Sequence, residues 1–168
     1  MMFRTSGTSR LERLNVGRSH PVHLPTRQQH NRSIIVHVVV CTKNRQPLLT
    51  NPLAHELLRR AWSQARTWMV GRYVIMPDHI HVFCAPAQTD VPLGRWIRYW
   101  KTLVTKNWPH PHQRPLWQRD FWDRQLRTTE SYRAKWEYIR LNPVRHGLVP
   151  TADQWPYCGE LHTLPWHD

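Results

Sequence analysis

The sequence predicts an α+β fold of the ferredoxin-like (RRM-like) type, in which an antiparallel sheet carries two helices on one face. Two observations lead to this prediction. The expected strands and helices follow the order β-α-β-β-α-(β)-α, and the first two helices each have one apolar face. The 168 residues are enough for one domain with a sizeable hydrophobic core. The other face of the sheet is left for a ligand or for the third helix.

The predicted strands are short runs rich in β-branched and aromatic residues. These runs are Ser33–Cys41, Arg72–Met76 and His79–Ala85, with Phe121–Leu126 as a short edge strand. Ser33–Cys41 is apolar almost throughout, which predicts burial on both of its faces. Only Pro77 and Asp78 separate the second and third runs, which predicts an antiparallel hairpin.

Apolar residues at helical spacing predict the first two helices. The first spans 52–68 and begins at Asn51, a favourable cap, with Pro52 in its first turn. The second spans 93–106, with Asp90 as its cap. Its apolar residues lie on one side and its Arg and Lys residues on the other, so its outer surface is basic.

A third helix is expected to begin at Thr128 or Thr129 and to end at about Leu141, because Pro143 disfavours a helical conformation in the residue before it. The residues that form its core stripe are Tyr132, Trp136 and Ile139. Tyr138 and Asn142 are four residues apart and therefore share a face beside that stripe. Helix geometry alone favours a boundary tyrosine whose ring packs and whose hydroxyl meets water.

The charge of the chain indicates a polyanionic partner. Lys and Arg outnumber Asp and Glu by 24 to 11, giving a net charge of +13, which favours nucleic acid over an anionic membrane surface. The boundaries predicted from composition are a basic arm at 1–32, a domain at 33–146 and a tail at 147–168 without Lys or Arg. We find no apolar run long enough for a membrane span, and no signal peptide. Three widely spaced cysteines suit a reducing cytosol.

The sharpest local feature is the triplet His79-Ile80-His81 on a predicted strand. Side chains alternate along a strand, so both imidazoles project from one face while Ile80 enters the core under the helices. This spacing suits two ligands of one metal ion. In a chain with 12 histidines, such a triplet taken alone is more often incidental or a hydrogen-bonded polar pair without a metal.

Four segments together resemble the single-tyrosine HUH transposases, and in particular their REP-associated branch. The segments are Thr42–Arg45, Tyr73–Phe83 with PDHIHVF, Trp117–Arg127 with WxxxFW, and Tyr138–Val149 with YIRLNPVRHGLV. The resemblance covers roughly residues 33–158. The insertion-sequence branch uses Gln four residues after the tyrosine, and the Asn here indicates the REP-associated branch.

The resemblance implies a bacterial, cytoplasmic and nucleoid-associated enzyme that cuts single-stranded DNA beside hairpins. It implies Tyr138 as the nucleophile, a 5′-phosphotyrosine intermediate, and a divalent metal held by His79, His81 and Asn142. Two imidazoles and an amide leave positions open for phosphate oxygens, and both Mg²⁺ and Mn²⁺ are expected, with Mn²⁺ binding more tightly. REP-like hairpins are the implied partner. The tail after Gly147 favours a monomer, with a dimer left open.

Further residues have candidate secondary roles in this interpretation. The candidate phosphate contacts are Lys43, Arg45, Arg95, Arg98, Lys101, Arg140 and Arg145. Asp78 is either a carboxylate that orients a ligand histidine or simply part of a Pro-Asp turn. The alternative function is a non-catalytic module on the same fold that binds RNA or DNA hairpins and does not need Tyr138.

Overall fold

The computed structural model describes residues 33–87 and 90–168. Its strands are β1 (Val36–Cys41), β2 (Trp68–Ile75), β3 (His79–Pro86), β4 (Trp122–Gln125) and β5 (Cys158–Glu160). Its helices are α1 (Pro52–Gln64), α2 (Leu93–Asn107), α3 (Tyr132–Arg140) and the short α4 (Asn142–Arg145). Single 3-10 turns occur at Lys43–Arg45, Pro111–Gln113 and Ala152–Gln154. The predicted arm at 1–32 lies outside the described residues, so the division into arm, domain and tail stays a prediction.

The five strands form one sheet with the order β4-β1-β3-β2-β5, and every neighbouring pair is antiparallel. The first four strands have the ferredoxin-like arrangement predicted from the sequence, with the expected edge strand appearing as β4. The β2–β3 hairpin is also confirmed, with Ile75 opposite Ile80 next to the turn. The central position belongs to β3, which pairs with β1 and β2.

The helix-side core confirms the predicted orientation of β3. Ile80 and Val82 belong to the same buried cluster as Trp62 of α1 and Trp100 of α2. Both long helices therefore cover the face of the sheet that carries Ile80, and His79 and His81 point to the other face.

The second sheet face is covered by α3 and the C-terminal segment. A separate buried cluster joins Phe83 of β3 to Tyr132, Trp136 and Ile139, which form the predicted stripe of α3. Trp155 joins the same cluster, and its indole N–H donates to the Ile75 carbonyl at 3.0 Å. Helix α3 is therefore fixed against the face from which the histidines project.

The first helix is shorter than predicted. It ends at Gln64, and Trp68 begins β2 instead of closing the helix. Trp68 is 3% exposed, and its indole donates to the Val91 carbonyl. A buried aromatic residue satisfies the helical spacing and the strand pattern equally, so periodicity could not place this boundary.

Two predicted caps are wrong. Pro92, not Asp90, occupies the N-cap position of α2, which has no side-chain cap. Helix α3 begins after Ser131 instead of Thr128 or Thr129, and the Ser131 hydroxyl accepts from the Ala134 N–H at 3.0 Å. Several neighbouring residues in this segment carry hydroxyl groups that could cap the helix. Ser131 is the cap because it directly precedes Tyr132, the first buried residue of α3.

Other parts of the chain are more regular than predicted. The third helix ends close to the predicted Leu141, since α3 stops at Arg140, but a short helix follows it. Asn142 is the first residue of α4, and Pro143 occupies the tolerated first turn. The tail contributes β5, which pairs with the β2 edge and was not predicted. Near its end, the Asp168 carboxylate accepts from the Tyr132 N–H at 2.8 Å and the Arg133 N–H at 2.7 Å. Within the described ranges, no helix combines the length and apolar character needed to cross a membrane.

The Ser131 cap gives a stability prediction. Ser131→Ala should lower the free energy of unfolding by about 1 kcal/mol in urea titrations, because it removes the side-chain acceptor for the first turn of α3. Ser63→Ala, within α1, is the matched control and should leave stability unchanged or slightly raised, because Ala is the better helix former. Equal unfolding free energies for the two variants would contradict the capping role.

Candidate metal and nucleophile site

The two predicted histidines lie side by side on the face of β3 opposite α1 and α2. His79 is 5% exposed and His81 is 6% exposed, so both rings are buried. Their Nε2 atoms are 3.2 Å apart. Because β3 is hydrogen-bonded on both sides, the backbone fixes the separation of these rings.

Asn142 completes a cluster of three polar side chains. It is 6% exposed, and its Nδ2 lies 2.9 Å from the His81 Nε2. The helical break at Leu141 brings this residue to the first turn of α4, over the sheet face that carries the histidines. The structure therefore brings together the three side chains that the sequence identifies as candidate ligands.

Asp78 fixes the protonation pattern of His79. Its Oδ1 lies 2.6 Å from the His79 Nδ1, and a carboxylate only accepts, so the His79 Nδ1–H donates. Burial would raise the pKa of Asp78, but the hydrogen bond and charge of His79, together with the Arg45 charge, lower it. In the neutral ring, the lone pair of His79 is then on Nε2, facing His81.

Arg45 supports this carboxylate from a strained turn. Its Nε lies 2.7 Å from the Asp78 Oδ2, and its NH1 donates to the Cys41 Sγ at 2.8 Å. Arg45 has φ of 56° and its neighbour Asn44 has φ of 54°, a conformation that costs energy in residues other than glycine. The strain is maintained beside the candidate site, where the guanidinium holds Asp78.

His37 of β1 is a part of the site that the sequence reasoning missed. Its Nε2 lies 3.2 Å from the His81 Nδ1, and the two rings are stacked with centroids 5.3 Å apart. Burial, with the charges of Lys135 and Arg124, lowers the pKa of His37 to about 3. Burial and the neighbouring histidines also lower the pKa of His81 well below its usual value. The neutral His37 ring can accept the His81 Nδ1–H, which leaves the His81 Nε2 as an acceptor.

The signal for His37 was present in the sequence. It is the single polar residue inside the run Val36–Cys41, and it faces the same side as Val39 and Cys41. Pairing of β1 with β3 places Val39 opposite His81. Once that register is assumed, His37 lies opposite Phe83, two residues along β3 from His81 and on the same face of the sheet.

The donor set is compatible with a divalent ion. Two nitrogen ligands at about 2.1 Å from one ion lie about 3.0–3.4 Å apart for angles of about 90–109°, and the His79 and His81 Nε2 atoms are 3.2 Å apart. Both nitrogens present lone pairs to the same point, which a cation would stabilise. Among the described residues, no group of three or more His, Cys, Asp or Glu side chains is arranged to hold a metal, and the third polar group here is the Asn142 amide.

Tyr138 lies on the outer face of α3 and is 43% exposed. It is four residues before Asn142, and Arg145 connects the two. The Arg145 NH1 donates to the Tyr138 carbonyl at 2.7 Å and to the Asn142 Oδ1 at 3.2 Å. Its guanidinium carbon is 3.9 Å from the centroid of the Tyr138 ring. The phenol is therefore accessible, next to the residue that faces His81.

Of the seven predicted phosphate contacts, Arg45 and Arg145 have the partners described above, and the other five fall into two groups. Lys43, Arg95 and Arg98 are exposed. Lys101 and Arg140 already have partners within the protein. The Lys101 ammonium donates to the Gln118 carbonyl at 2.6 Å, and burial lowers its pKa to about 8. Arg140 pairs with Glu137 at 3.1 Å and with Asp153 at 2.6 Å.

A basic groove of about 870 Å³ runs between α2 and residues 115–121. Its cationic lining residues are Arg98, Lys101, Lys106 and Arg119. One wall is connected to the site, because Trp117 forms a β-bridge with Thr42 and the Lys43 N–H donates to the Leu116 carbonyl. The groove therefore adjoins the turn from which Arg45 reaches Asp78.

Comparison with known proteins identifies the family. A family model described as "Transposase IS200 like" matches residues 30–140. The chain belongs to the IS200-like transposase family. It is 30% identical to the REP-associated tyrosine transposase of Escherichia coli K12 over 118 residues, which cover 67% of each chain. It is 32% identical over 94 residues to a putative REP-associated tyrosine transposase of Haemophilus influenzae, covering 49% of this chain and 53% of the relative.

Solved structures support the same assignment. A REP-associated tyrosine transposase bound to a REP hairpin superposes with a TM-score of 0.63 at 26% identity, covering 79% of this chain and 82% of that one. A putative transposase from Deinococcus radiodurans gives a TM-score of 0.50 at 16% identity, covering 74% and 98% of the two chains, and indicates the fold alone. The resemblance identified from the sequence motifs and the predicted fold class are both confirmed.

The His37–His81 contact gives a prediction for this transposase. His37→Phe should lower the free energy of unfolding at pH 7.5 by about 1–3 kcal/mol, because the buried His81 Nδ1–H loses its acceptor while an aromatic ring still fills the position. His37→Gln is the control, since its amide oxygen can still accept. If both variants unfold at the same urea concentration as the unmodified protein, His37 does not satisfy His81.

Proposed function

We propose that this transposase cuts and rejoins single-stranded DNA beside hairpins, with Tyr138 as nucleophile and with His79, His81 and Asn142 holding a divalent ion. The observation that carries this proposal is the convergence of the three side chains, with the His79 and His81 Nε2 atoms 3.2 Å apart and Asn142 2.9 Å from His81. Asn142 is four residues after an exposed tyrosine on a helix docked against the same sheet face.

The chemistry exchanges one phosphate ester for another. The Tyr138 oxygen forms a bond to the scissile phosphorus, the bond to the 3′ oxygen breaks, and the phenolic proton is lost while the 3′ oxygen gains one. A 5′-phosphotyrosine and a free 3′-OH result. Attack by a 3′-OH on the phosphotyrosine then restores the phosphodiester and releases Tyr138, so no external energy source is needed.

The protein side chains contribute positioning and electrostatics to these steps. A phenol is a weak nucleophile near neutral pH, so it has to be held at the phosphate and partly deprotonated. A divalent ion, when bound, acts as a Lewis acid on the phosphate oxygens. Mn²⁺ tolerates imidazole ligands better than Mg²⁺, which favours oxygen, so both ions should support activity and Mn²⁺ should bind more tightly. Asp78 and His37 would hold the two ligand rings in their required tautomers.

The DNA partner is proposed from charge and from similarity. The chain has a net charge of +13, and its basic groove adjoins the turn beside His79. The similar transposase of known structure is bound to a REP hairpin. We infer that this chain binds REP-like hairpins and that exposed Lys43, Arg95 and Arg98 contact phosphates. For Lys101, Arg140 and Arg145, that role would require release from their present partners.

The cellular setting proposed is bacterial, cytoplasmic and nucleoid-associated. We favour a monomer, with support from β5, in which the protein's own tail pairs with Arg72, Tyr73 and Val74 of β2, so these residues are not available to pair with a second copy.

The nucleophile is tested by trapping the covalent intermediate. Incubation with a single-stranded hairpin DNA and Mn²⁺ should give a protein–DNA adduct on a denaturing gel. Tyr138→Phe should abolish the adduct, and His79→Ala or His81→Ala should reduce it at least tenfold. Chelation should prevent its formation, and fresh Mn²⁺ should restore it.

Tyr99→Phe is the matched control, because Tyr99 is 51% exposed on α2 and lies outside the site. An adduct that persists in Tyr138→Phe would place the nucleophile elsewhere. If the unmodified protein binds hairpins and never forms an adduct, the non-catalytic binding module is the better function.

The groove is tested by the salt dependence of hairpin binding. Arg98→Ala and Lys106→Ala should each weaken binding and reduce the slope of log affinity against log salt by about 0.7–0.9, the value for one lost phosphate contact. Arg66→Ala removes one exposed charge outside the groove and should leave the slope unchanged. Identical slopes for all three variants would place the DNA away from the groove.

A further inference from the structure

The Arg145 side chain makes three described contacts, all with Tyr138 and Asn142. Its NH1 donates to the Tyr138 carbonyl at 2.7 Å and to the Asn142 Oδ1 at 3.2 Å. Its guanidinium carbon lies 3.9 Å from the centre of the Tyr138 ring. One nitrogen, NH1, makes both hydrogen bonds while the planar face lies against the Tyr138 ring. An ammonium group could donate to the same oxygens, but it could not stack on the ring in this way.

These contacts fix the orientation of the Asn142 amide. A guanidinium has donors and no acceptor, so the amide atom that faces Arg145 is the oxygen. The amide nitrogen therefore faces the His81 Nε2 at 2.9 Å and donates to it. In this orientation, the Asn142 oxygen points away from the pair of histidine nitrogens.

A divalent ion requires the opposite orientation. The ligand atom of an asparagine is its carbonyl oxygen, and a primary amide nitrogen has no available lone pair to offer. Turning the amide would place its NH₂ group against the guanidinium, where two donors meet without an acceptor. As long as Arg145 holds the oxygen, the amide nitrogen faces the His81 Nε2, and Asn142 does not present a ligand atom to an ion at the histidines.

We propose that Arg145 is a positioning residue that latches Asn142 in an orientation unable to bind metal, and that it gives up this bond when a divalent ion enters. The inference rests on the proposed function, because it takes Asn142 as a ligand. The released donors remain beside Tyr138, where the scissile phosphate has to lie. Arg145 then donates to a phosphate oxygen instead of the Asn142 amide oxygen. Its positive charge is therefore beside the phosphate that Tyr138 attacks.

The latch makes an unusual prediction about metal affinity. Arg145→Ala should bind Mn²⁺ about fivefold more tightly than the unmodified protein, because the ion no longer competes with a hydrogen bond of about 1 kcal/mol. Damage to the site would instead weaken binding. The readout is free Mn²⁺ by electron paramagnetic resonance during titration of the full-length protein without DNA.

Loss of a positive charge is separated from loss of the latch by three controls. Arg145→Lys keeps the charge but gives up the planar stack on Tyr138, and it should also bind Mn²⁺ more tightly. Arg133→Ala removes an exposed charge from α3 and should change nothing. The gain in Arg145→Ala should persist at 0.5 M salt, where exposed charges farther apart than about 4–5 Å are largely screened.

A double-mutant cycle locates the effect at Asn142. In the Asn142→Ala background, Arg145→Ala should give no further gain in Mn²⁺ affinity. Unchanged or weaker binding in Arg145→Ala, or an equal gain with and without the Asn142 side chain, would overturn the latch. Failure of the unmodified protein to bind Mn²⁺, or binding that survives His79→Ala and His81→Ala together, would instead overturn the proposed metal site.

Discussion

Strand β3 lies in the middle of the sheet, and every side chain from His79 to Ala85 is buried. One face of the strand can be apolar without further requirements, but the other carries two imidazoles that are largely shielded from water. A buried polar ring has to be hydrogen-bonded at both nitrogens or it costs free energy. The arrangement around the site follows from this requirement.

Each of the two rings is satisfied at its Nδ1 by a different element. Asp78, in the β2–β3 turn, accepts from His79, and His37 of β1 lies against His81. The Nε2 atoms are then directed toward each other and toward Asn142. Two segments outside the sheet supply further partners for this cluster. The strained turn at Lys43–Arg45 supplies the guanidinium that pairs with Asp78. The break between α3 and α4 places the Asn142 amide in contact with the His81 ring.

The sequence predicted most of the fold because its strongest signals are periodic. The alternation in β3 and the stripe of α3 were correct, and so was the orientation of the histidines relative to the two helices. The predicted helix boundaries were wrong where one residue satisfies both the helical and the strand pattern, as Trp68 does. They were also wrong where several neighbouring residues could serve as the cap, as around Ser131. Strand β5 has only three residues and is defined by its pairing with the edge of β2, so its local sequence does not predict it.

For the site, local motifs identified residues that lie on one element, and tertiary contacts supplied the others. His79, His81, Tyr138 and Asn142 come from two short motifs. His37 required the register between β1 and β3, which spacing alone does not reveal. The basic residues show the same limit of sequence reasoning. Counting Arg and Lys residues suggested a uniform set of phosphate contacts, yet several of them are held by the protein itself.

Those internal partners change how the charge of +13 should be understood. An exposed cation such as Arg98 can meet a phosphate at little cost. Arg45 is engaged with Asp78 and Cys41, so it contributes to the site first through the tautomer of His79. Arg145 is bonded to Tyr138 and Asn142, and meeting a phosphate means exchanging one acceptor for another. Under the proposed function, exposed groove residues would determine where a strand is held, whereas the engaged arginines would link its arrival to the state of the residues proposed to act on it.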